Sequence, residues 1–428
     1  MNDELFQRYV ATYRNLNLFP LLDSEEIERF RITHSPETLA RLRSAIVASE
    51  VNGKLIFTGH VGCGKTTLLN ELALEVRKRG LFVEFFSIAK MVEMSDVNHI
   101  NILYSVALRL LRRAVRSEVP IPEATQESLK AWFTQTKSLT YTDQLRKEVG
   151  LGGDFFKLFT TKLQKEDSFR EEIKETYERR VSDLTQHIDQ IAAAIQTYTG
   201  KEVLVIIDDL DKLDLPIVES IFRDNINALF SPRIRILFTI PIAVVREPEI
   251  RKLWEGQNST LFLLSVTKFY SRDASHQPNA QPIEANVARL QSILERRIEA
   301  DLVEPQVLRQ MVLLSGGVLR ELVRLGQECC RECMLRLEMD DNAGDVKIDQ
   351  DILEAAVREL RKQYARSLGN DLYDLLRQTY EAFTPPDISD PKFLKLLHGL
   401  YVLEYENDDL WYDLHPLVTD LLKRKNLI

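Results

Sequence analysis

A short segment near the start of the chain has the residue types and spacing of a phosphate-binding loop. Gly59, Gly64, Lys65 and Thr66 fill the pattern G-x-x-x-x-G-K-[ST], which lies between an apolar run and an amphipathic helix. Glycines in this context let backbone N–H groups turn toward phosphate oxygens, and the helix N-terminus favours negative charge. The lysine can reach the β- and γ-phosphates, and the threonine can ligate Mg²⁺. The sequence therefore predicts an ATP/ADP site formed by Gly59, Gly62, Gly64, Lys65, Thr66 and Thr67.

Two acids follow a second apolar run, at the position where a further Mg²⁺ ligand belongs. Asp208 ends the run 203–207, and Asp209 comes next. We predict that Asp208 and Thr66 hold Mg²⁺ and that Asp209 activates water. Vigorous hydrolases of this broad class usually carry Glu at the second position, and Asp is one methylene shorter, so we predict slow hydrolysis. The alternative for Asp209 is a structural acid with no direct role in catalysis.

A third candidate for catalysis is a threonine at the end of another apolar run. Thr239 lies near the end of the run 234–240. In a parallel sheet ordered around the phosphate loop, its hydroxyl could lie near the γ-phosphate. We therefore predict Lys65, Asp209 and Thr239 as the catalytic residues. A strand-end threonine that hydrogen-bonds the backbone is the alternative.

The segments that must position these residues alternate between strand and helix. Apolar runs at 54–58, 81–88, 203–207, 234–240 and 260–266 are separated by helical patterns. This alternation predicts an α/β fold with a parallel sheet covered on both faces. We divide the chain into lead-in helices (1–50), a P-loop NTPase core in two parts (51–118 and 201–268), a helical insertion (119–200), a helical lid (283–345) and a winged-helix-like domain (346–428).

The insertion ends in a pattern typical of one long helix. Ser168 and Glu171 have the spacing of a capping box. Apolar residues then alternate at intervals of four and three, a seam suited to another helix. The seam consists of Ile173, Tyr177, Val181, Leu184, Ile188, Ile191 and Ile195. Intramolecular packing is the simpler interpretation, and a partner-binding arm is the alternative.

The bulk composition excludes some classes of protein. The 428 residues carry a net charge of −9, and no apolar run has the length of about 18 residues that a membrane span needs. The N-terminal residues lack the cationic and apolar regions of a signal peptide, so we expect a cytoplasmic protein without membrane contact. Three of the four cysteines lie in "ECCREC" without a nearby histidine, which favours free thiols in a helix over a metal site.

Several motifs together resemble known P-loop ATPases. The phosphate loop, "VIIDDLDKLD" and "RIRILFTIP" look like the ATPases that place an extra strand between the two Walker motifs, namely the AAA+ and STAND (NB-ARC-like) groups. "DDLDKLD" also resembles the acidic motif of KAP-type ATPases. The resemblance covers about residues 30–118 and 200–428.

Two residues of the C-terminal half take nucleotide-binding roles from this resemblance. "LLSGGVLRELVRLGQ" is similar to the helix that carries a sensor arginine in Orc/Cdc6-like AAA+ proteins, which implies that role for Arg320. "YDLHPLVTDLL" resembles the Met-His-Asp motif of NB-ARC winged helices, whose histidine reads a bound diphosphate. Only the histidine matches, as His415, and Pro416 replaces the acid. The alternatives are a surface charge for Arg320 and a capping or core role for His415.

The segment that resembles a winged helix has an acidic hairpin. Its acids are Glu404, Glu406, Asp408, Asp409 and Asp413, and the preceding helix offers only Lys392 and Lys395. A wing that contacts DNA phosphates would carry Lys and Arg. We therefore expect a module that contacts protein or closes over nucleotide, and we disfavour DNA as a partner.

These observations support an ATP-controlled molecular switch as the leading hypothesis. Nucleotide state would set the position of the lid and winged helix and so control a separately encoded protein partner, in a role that resembles prokaryotic defence or signalling ATPases. The alternatives are an Orc/Cdc6-like or transposition-helper-like ATPase that loads on DNA, and a scaffold that binds nucleotide without turnover.

A catalytic arginine supplied by a neighbouring subunit would require a homo-oligomer. The sequence does not rank the candidates for this arginine, which are Arg223, Arg233, Arg235, Arg246 and Arg251.

Overall fold

The five apolar runs named above form one parallel sheet. The computed structural model describes residues 3–21, 24–32, 35–133, 152–255, 259–339, 346–406 and 409–428. The strand order is β2-β3-β4-β1-β5, so that β4 lies between β1 and β3. This order confirms the predicted α/β fold and the extra strand between the two motif-bearing strands. The strands are β1 (Lys54–Gly59), β2 (Phe82–Ser87), β3 (Val203–Asp208), β4 (Arg235–Pro241) and β5 (Ser259–Leu264).

The three middle strands are covered on both faces. Every residue of β1, β3 and β4 is buried. Continuous apolar runs are the sequence pattern that such double burial requires. The parallel register pairs Phe82 with Val203 and ends with Ser87 opposite Asp208. It thus places Ser87 and Asp208 at the carboxyl ends of neighbouring strands.

The helices before β3 in the described ranges follow the predicted alternation. They are α1 (Asp3–Asn15), α2 (Ser24–Phe30), α3 (Pro36–Ala48), α4 (Lys65–Lys78), α5 (His99–Arg116), α6 (Glu123–Phe133), α7 (Gly153–Lys165), α8 (Asp167–Tyr177) and α9 (Val181–Thr199). Their ends have local causes: the side chain of Asn98 accepts from the N–H of Asn101 to cap α5, and Gly200 ends α9 in a left-handed conformation.

The chain after β3 is mainly helical apart from β4, β5 and a C-terminal hairpin. Its helices are α10 (Leu215–Glu219), α11 (Ile226–Phe230), α12 (Ile242–Val245), α13 (Pro248–Glu255), α14 (Glu284–Glu295), α15 (Pro305–Leu314), α16 (Leu319–Met339), α17 (Gln350–Ser367), α18 (Tyr373–Ala382), α19 (Pro391–His398) and α20 (Pro416–Arg424). In the described ranges, no helix has both the length and the apolar character needed to cross a bilayer.

The chain divides into two compact units that do not follow the order of the sequence. Unit 1 contains residues 1–36, 59–67 and 264–428, and unit 2 contains residues 37–58 and 68–263. The predicted lead-in 1–50 is therefore shared between the two units. The phosphate loop belongs to the same unit as the C-terminal helices.

The helices of the predicted insertion pack within unit 2. The ring of Tyr104 on α5 contacts Trp132, Phe133 and Phe169. Six of the seven seam residues are fully buried, and Val181 packs against the same core. This burial confirms intramolecular packing, because a partner-binding arm would present the seam to solvent.

Two details of the predicted long helix were wrong. The helix is interrupted: α8 ends at Tyr177, and α9 begins at Val181. The predicted capping box is also absent, because α8 begins at Asp167 with Glu166 at its N-cap, so that Ser168 lies inside the helix. Tyr177 and Val181 pack against the same core although the helix is interrupted between them. The apolar spacing is therefore the same as in one continuous helix and does not indicate the break.

Helix α1 anchors to the C-terminal helical region within unit 1. The hydroxyl of Tyr9 donates to the carbonyl oxygen of Val346 at 2.8 Å, and Arg8 pairs with Glu299 and Asp301. The cysteines of α16 are free and buried, as predicted. Burial raises the pKa of the Cys333 thiol to about 12, so that the reactive thiolate is scarce at neutral pH.

The predicted C-terminal hairpin is present, but two of its acids are not surface groups. Strands β6 (Val402–Glu406) and β7 (Leu410–Leu414) pair in antiparallel fashion. Glu404 is 2% exposed and accepts from the hydroxyl of Tyr412 at 3.0 Å. Asp413 is also buried, accepting from Ser275 at 2.8 Å. Glu404 and Asp413 therefore do not contribute to an acidic surface of the hairpin. Asp408 lies outside the described residues.

A matched pair of glycines tests how tightly the turn before α16 is packed. Gly317 has a φ of 84°, and a Cβ there would lie 1.8 Å from the carbonyl oxygen of Thr267. Gly80 has a φ of 93°, and a Cβ there would meet nothing within 4 Å. We expect Gly80→Ala to lower the free energy of unfolding by about 1 kcal/mol, the cost of left-handed backbone alone. Gly317→Ala should cost at least about 3 kcal/mol, because backbone must move as well. Urea denaturation of both variants measures the difference, and equal losses would show that the turn relaxes freely.

Candidate functional site

The phosphate loop has a conformation that only glycine adopts easily. Strand β1 ends at Gly59, α4 begins at Lys65, and Gly59, Gly62 and Gly64 have φ values of 149°, 89° and 95°. A Cβ on Gly59 would lie 2.5 Å from the carbonyl oxygen of Leu264, and one on Gly62 would lie 2.6 Å from the Cβ of Arg320. Both backbone angle and lack of space therefore require glycine here.

The lysine of the loop lies over the loop itself. Lys65 is 5% exposed, and its Nζ donates to the carbonyl oxygens of Gly59 at 2.7 Å and His60 at 2.8 Å. Thr66 and Thr67 follow in the first turn of α4, both half-buried. The first-turn N–H groups of this 14-residue helix have no intrahelical partner, which suits an anion. The loop therefore fits a polyphosphate: a curled backbone, a buried ammonium and a helix N-terminus occur together.

Two C-terminal elements of unit 1 bind the loop directly. The backbone N–H of Arg320, in the first turn of α16, donates to the carbonyl oxygen of Gly62 at 3.0 Å. The backbone N–H of Glu404 on β6 donates to Nε2 of His60 at 2.8 Å. Sequence reasoning placed Arg320 near nucleotide but missed His60, because the motif accepts any residue at that position.

The turn that leads into α16 is held by the same hairpin. Gly316 has a φ of 61°, and a Cβ there would lie 2.6 Å from Cδ1 of Leu403. The hydroxyl of Tyr405 donates to the carbonyl oxygen of Gly316 at 2.9 Å. Strand β6 therefore contacts both the phosphate loop and the turn that positions Arg320.

His415 is buried and keeps one nitrogen unused. Its Nδ1 accepts from the N–H of Leu417 at 3.2 Å, which caps α20, and its ring stacks on Tyr364 at 5.1 Å. Because Nδ1 accepts, the proton of the neutral ring is on Nε2, and that atom has no hydrogen-bond partner among the described residues. Complete burial lowers the pKa of His415 to about 4. The capping role that the sequence left open is present, and the role toward a diphosphate stays a prediction.

Three carboxylates lie together at the end of β3. Oxygens of Asp208, Asp209 and Asp211 lie within 4.8 Å of one another. Carboxylate oxygens in such a group are the ligands that Mg²⁺ and other hard divalent cations prefer, so the donor set fits the predicted metal. The sequence singled out Asp208 and missed Asp211, although Asp211 stands in the same acidic motif.

The environment of Asp209 bears on its predicted catalytic role. Asp209 has a left-handed φ of 71°, which Asp tolerates better than most residues. Its carboxylate accepts from the hydroxyl of Ser87 and pairs with Lys212. A carboxylate held by a hydroxyl and an ammonium is restrained in position.

Thr239 is hydrogen-bonded to the backbone inside unit 2. Its Oγ1 accepts from the N–H of Leu210 at 3.1 Å and donates to the carbonyl oxygen of Ile207 at 3.3 Å. The strand-end role that the sequence left open is therefore present. A contact with the γ-phosphate stays a prediction.

Comparison with known families identifies the type of domain. Residues 39–240 match the KAP family P-loop domain. The match covers slightly less than half of the chain and includes the phosphate loop and β3. The chain therefore contains a P-loop NTPase domain that is similar to the KAP family domain. No curated protein matches the chain in sequence.

The solved structures found by comparison share little sequence with this chain. The Walker-type ATPase PABY2304 of Pyrococcus abyssi is 15% identical, with coverage of 96% of this chain and 99% of that chain and a TM-score of 0.44. A RuvB variant of Thermotoga maritima is 12% identical, with coverage of 96% and 99% and a TM-score of 0.38. The Orc1 protein of Aeropyrum pernix, solved in complex with DNA, is 13% identical, with coverage of 95% and 96% and a TM-score of 0.37.

The burial of His415 predicts a specific loss of stability in acid. The ordinary histidine pKa is 6.5 and the folded value is about 4, so the unfolded chain binds the extra proton first as the pH falls. Stability contributed by neutral His415 is complete above pH 6.5 and is lost between pH 6.5 and 4. At about pH 4.5 the loss should reach about 2–3 kcal/mol. His415→Asn keeps a capping side chain without a titrating ring. Urea denaturation at neutral pH and at about pH 4.5 should show a smaller acid loss in this variant, and an equal loss in variant and parent would contradict the assignment.

Two substitutions separate nucleotide binding from turnover. Lys65→Ala removes the buried ammonium and should weaken ATP binding by at least about 100-fold, consistent with the loss of charge-assisted hydrogen bonds. Asp209→Asn keeps the size of the side chain and suits the left-handed backbone, so ATP binding should persist while turnover falls below detection. Binding is measured by fluorescent-nucleotide titration and turnover by phosphate release. Tight binding by Lys65→Ala would refute the site, and unchanged turnover by Asp209→Asn would make that acid structural.

Proposed function

We propose that this chain, through its KAP-type P-loop domain, is an ATP-binding and slowly hydrolysing molecular switch. Nucleotide state would change how the phosphate loop is held by α16 and the C-terminal hairpin. Thr66 and Asp208 would hold Mg²⁺, which supplies neutralising charge for the phosphates when bound. The output would be the position of the C-terminal elements, read by a separately encoded protein partner.

One observation carries this proposal: the loop that would hold phosphate is hydrogen-bonded to elements more than 200 residues away in the chain. His60 and Gly62 accept from the backbone N–H groups of Glu404 and Arg320. A ligand shifts a conformational equilibrium only by its differential interactions with the two states. The hydrogen bonds of the loop to Glu404 and Arg320 supply such a difference between the two states, because a change in the conformation of the loop changes these bonds.

Lys65 provides the physical link between phosphate and the loop contacts. Its ammonium holds the carbonyl oxygens of Gly59 and His60. Phosphate oxygens would compete for the same three ammonium protons with charge-assisted hydrogen bonds, which are about twice as strong as neutral ones. Release of the His60 carbonyl would free the backbone of the residue that binds Glu404. Binding of triphosphate would thereby weaken or reposition the hairpin contact.

The unused donor of His415 supports a role toward nucleotide. A buried donor without a partner costs about 1–3 kcal/mol. His415 Nε2 has no acceptor among the described residues, and it lies in the same unit as the phosphate loop. A phosphate oxygen would satisfy it, and Arg320 would add a guanidinium. The resemblance to sensor-arginine and NB-ARC proteins suggests the same two residues.

The surroundings of Asp209 support slow hydrolysis. Its side chain is 13% exposed and engaged by Ser87 and Lys212. A base that must first release these partners pays for reorganisation in each turnover. A long-lived ATP state suits a switch better than a motor.

The proposed switch also implies a protein partner and allows a homo-oligomer. The helices α18 to α20 with the hairpin resemble a winged helix, and we propose that this segment contacts protein. Glu406 and Asp409 remain exposed on the hairpin. If a homo-oligomer supplies an arginine in trans, Arg235 is not that residue, because its side chain is 5% exposed and bonded to Ser49 and Glu202.

Hydrogen exchange at the hairpin tests the switch directly. The amide N–H of Glu404 is the donor to His60, so its protection reports the contact between loop and hairpin. We expect peptides covering 402–406 to exchange at least about 10-fold faster with a non-hydrolysable ATP analogue than with ADP, which corresponds to about 1.4 kcal/mol. Peptides of the buried strand β3 should exchange equally in both states.

Variants of the loop provide the control. His60→Ala removes the acceptor and should abolish the difference between nucleotides while ATP binding persists. Val61→Ala, at the adjacent position of the loop, should retain the difference. Equal exchange of 402–406 in saturating ADP and ATP analogue would refute the switch and leave a passive nucleotide binder.

A further inference from the structure

Unit 2 carries a concentrated group of arginines that the proposed function does not use. We define the arginine cluster as Arg77 at the end of α4 and Arg109, Arg112, Arg113 and Arg116 on α5. The four residues of α5 have the spacing i, i+3, i+4 and i+7, which places them on one side of the helix. Arg113 and Arg116 are exposed, and the other three are half-buried.

Within the described residues, the carboxylate that pairs with this cluster is that of Glu84. Arg109 pairs with Glu84 on β2 at 2.6 Å, and Glu84 is 5% exposed. Arg77 donates to the carbonyl oxygen of Val83. Arg112, Arg113 and Arg116 form no ion pair or side-chain hydrogen bond with any part of the chain that the structure describes. Among the ranges that the structure describes, one paired carboxylate therefore stands against five guanidinium groups.

Burial and the neighbouring positive charges lower the pKa values of two arginines in the cluster. The pKa of Arg77 is lowered by burial and by Arg113, and the pKa of Arg112 is lowered by burial and by Arg116 and Arg109. Such mutual repulsion destabilises the fold unless an anion relieves it. The excess is local, because the whole chain carries a net charge of −9. Exposed Lys78 and Arg79 extend it at the end of α4.

We propose that the arginine cluster binds the phosphate backbone of nucleic acid. Guanidinium groups match phosphate oxygens with two parallel hydrogen bonds, which makes Arg the preferred residue for this contact. Residues 109–116 extend for about 10 Å along α5. A duplex presents about six phosphate charges over the same length, so several guanidiniums can each meet a phosphate.

The surrounding residues favour nucleic acid over an anionic membrane. Proteins that bind membrane surfaces place exposed apolar side chains beside their basic residues. The exposed residues directly after α5 are Ser117 and Glu118, both polar, and Leu74, one turn before Arg77, is the apolar exception. The cluster lies in unit 2 and is independent of the hairpin, whose acids led us to disfavour DNA. This inference goes beyond the proposed switch and does not depend on it.

Binding of a fluorescent duplex of about 30 base pairs to the full chain tests the proposal. Anisotropy titrations from about 50 to about 200 mM salt should show affinity that falls steeply with salt. The triple variant Arg112→Gln, Arg113→Gln, Arg116→Gln should bind at least about tenfold more weakly. Its slope of log affinity against log salt should shrink by about 2 to 3, since each lost phosphate contact removes about 0.9. Unlabelled single-stranded DNA and double-stranded RNA as competitors show which nucleic acid supplies the phosphates.

The matched control removes the same charge elsewhere. Arg41→Gln, Arg358→Gln, Arg366→Gln changes three exposed helical arginines outside the cluster and should leave the affinity within about twofold. The charge-preserving triple with Lys at 112, 113 and 116 should retain most of the binding. ATP binding by each variant confirms folding, and the single variant Arg113→Gln, at an exposed position, replaces the triple if it fails to fold.

Three outcomes would overturn the proposal. The first is no binding of any nucleic acid below about 10 μM at the lowest salt. The second is an equal loss in the control triple, which would show a response to net charge alone. The third is binding to vesicles containing phosphatidylserine without binding to nucleic acid. None of these outcomes affects the nucleotide switch, whose test reads hydrogen exchange at the hairpin.

Discussion

The phosphate loop is the point around which the C-terminal half of unit 1 is organised. Arg320 and Glu404 donate backbone hydrogen bonds into it, and Leu264 closes on Gly59 from the end of β5. Backbone donors cannot rotate away as side chains can, so these contacts hold the start of α16 and strand β6 against the loop. A loop held in this way cannot change shape without a response from the elements attached to it.

Glycine makes this arrangement possible at both ends of the contact. Gly62 admits the Cβ of Arg320, and Gly316 admits Leu403 of the hairpin. Any side chain would separate the surfaces and also strain a backbone with positive φ. The loop and the turn before α16 are therefore complementary parts of one interface. Close packing of backbone and burial of apolar side chains, among them Val318, Leu403 and Trp411, both contribute to its free energy, so small displacements alter it.

The sequence predicted the fold and the local motifs because their causes are local. Apolar runs identified the strands, and the P-loop pattern identified the loop at Gly59 to Thr67. The contact of His60 with Glu404 joins residues that are 344 positions apart, and no sequence motif at either residue predicts it. The break between Tyr177 and Val181 was hidden because both residues keep the same face buried. The number of acids was also misleading, because Glu404 and Asp413 are buried, hydrogen-bonded to Tyr412 of the same hairpin and to Ser275, respectively. The predicted roles of Thr239, Arg320 and His415 toward phosphate depend on a bound nucleotide and so remain predictions.

Charge illustrates why such long-range information matters for function. A net charge of −9 argues against a general affinity for nucleic acid, yet charge acts over about a Debye length of 8–10 Å rather than over the whole molecule. Arg109, Arg113 and Arg77 lie close to the carboxylate of Glu84. On the hairpin, by contrast, Glu404 and Asp413 are buried and hydrogen-bonded, whereas Glu406 and Asp409 are exposed. The surface that a partner meets is therefore set by how the fold distributes charge. Helical spacing on α5 and the burial of Glu84 on β2 decide this distribution together, and neither is visible in the composition.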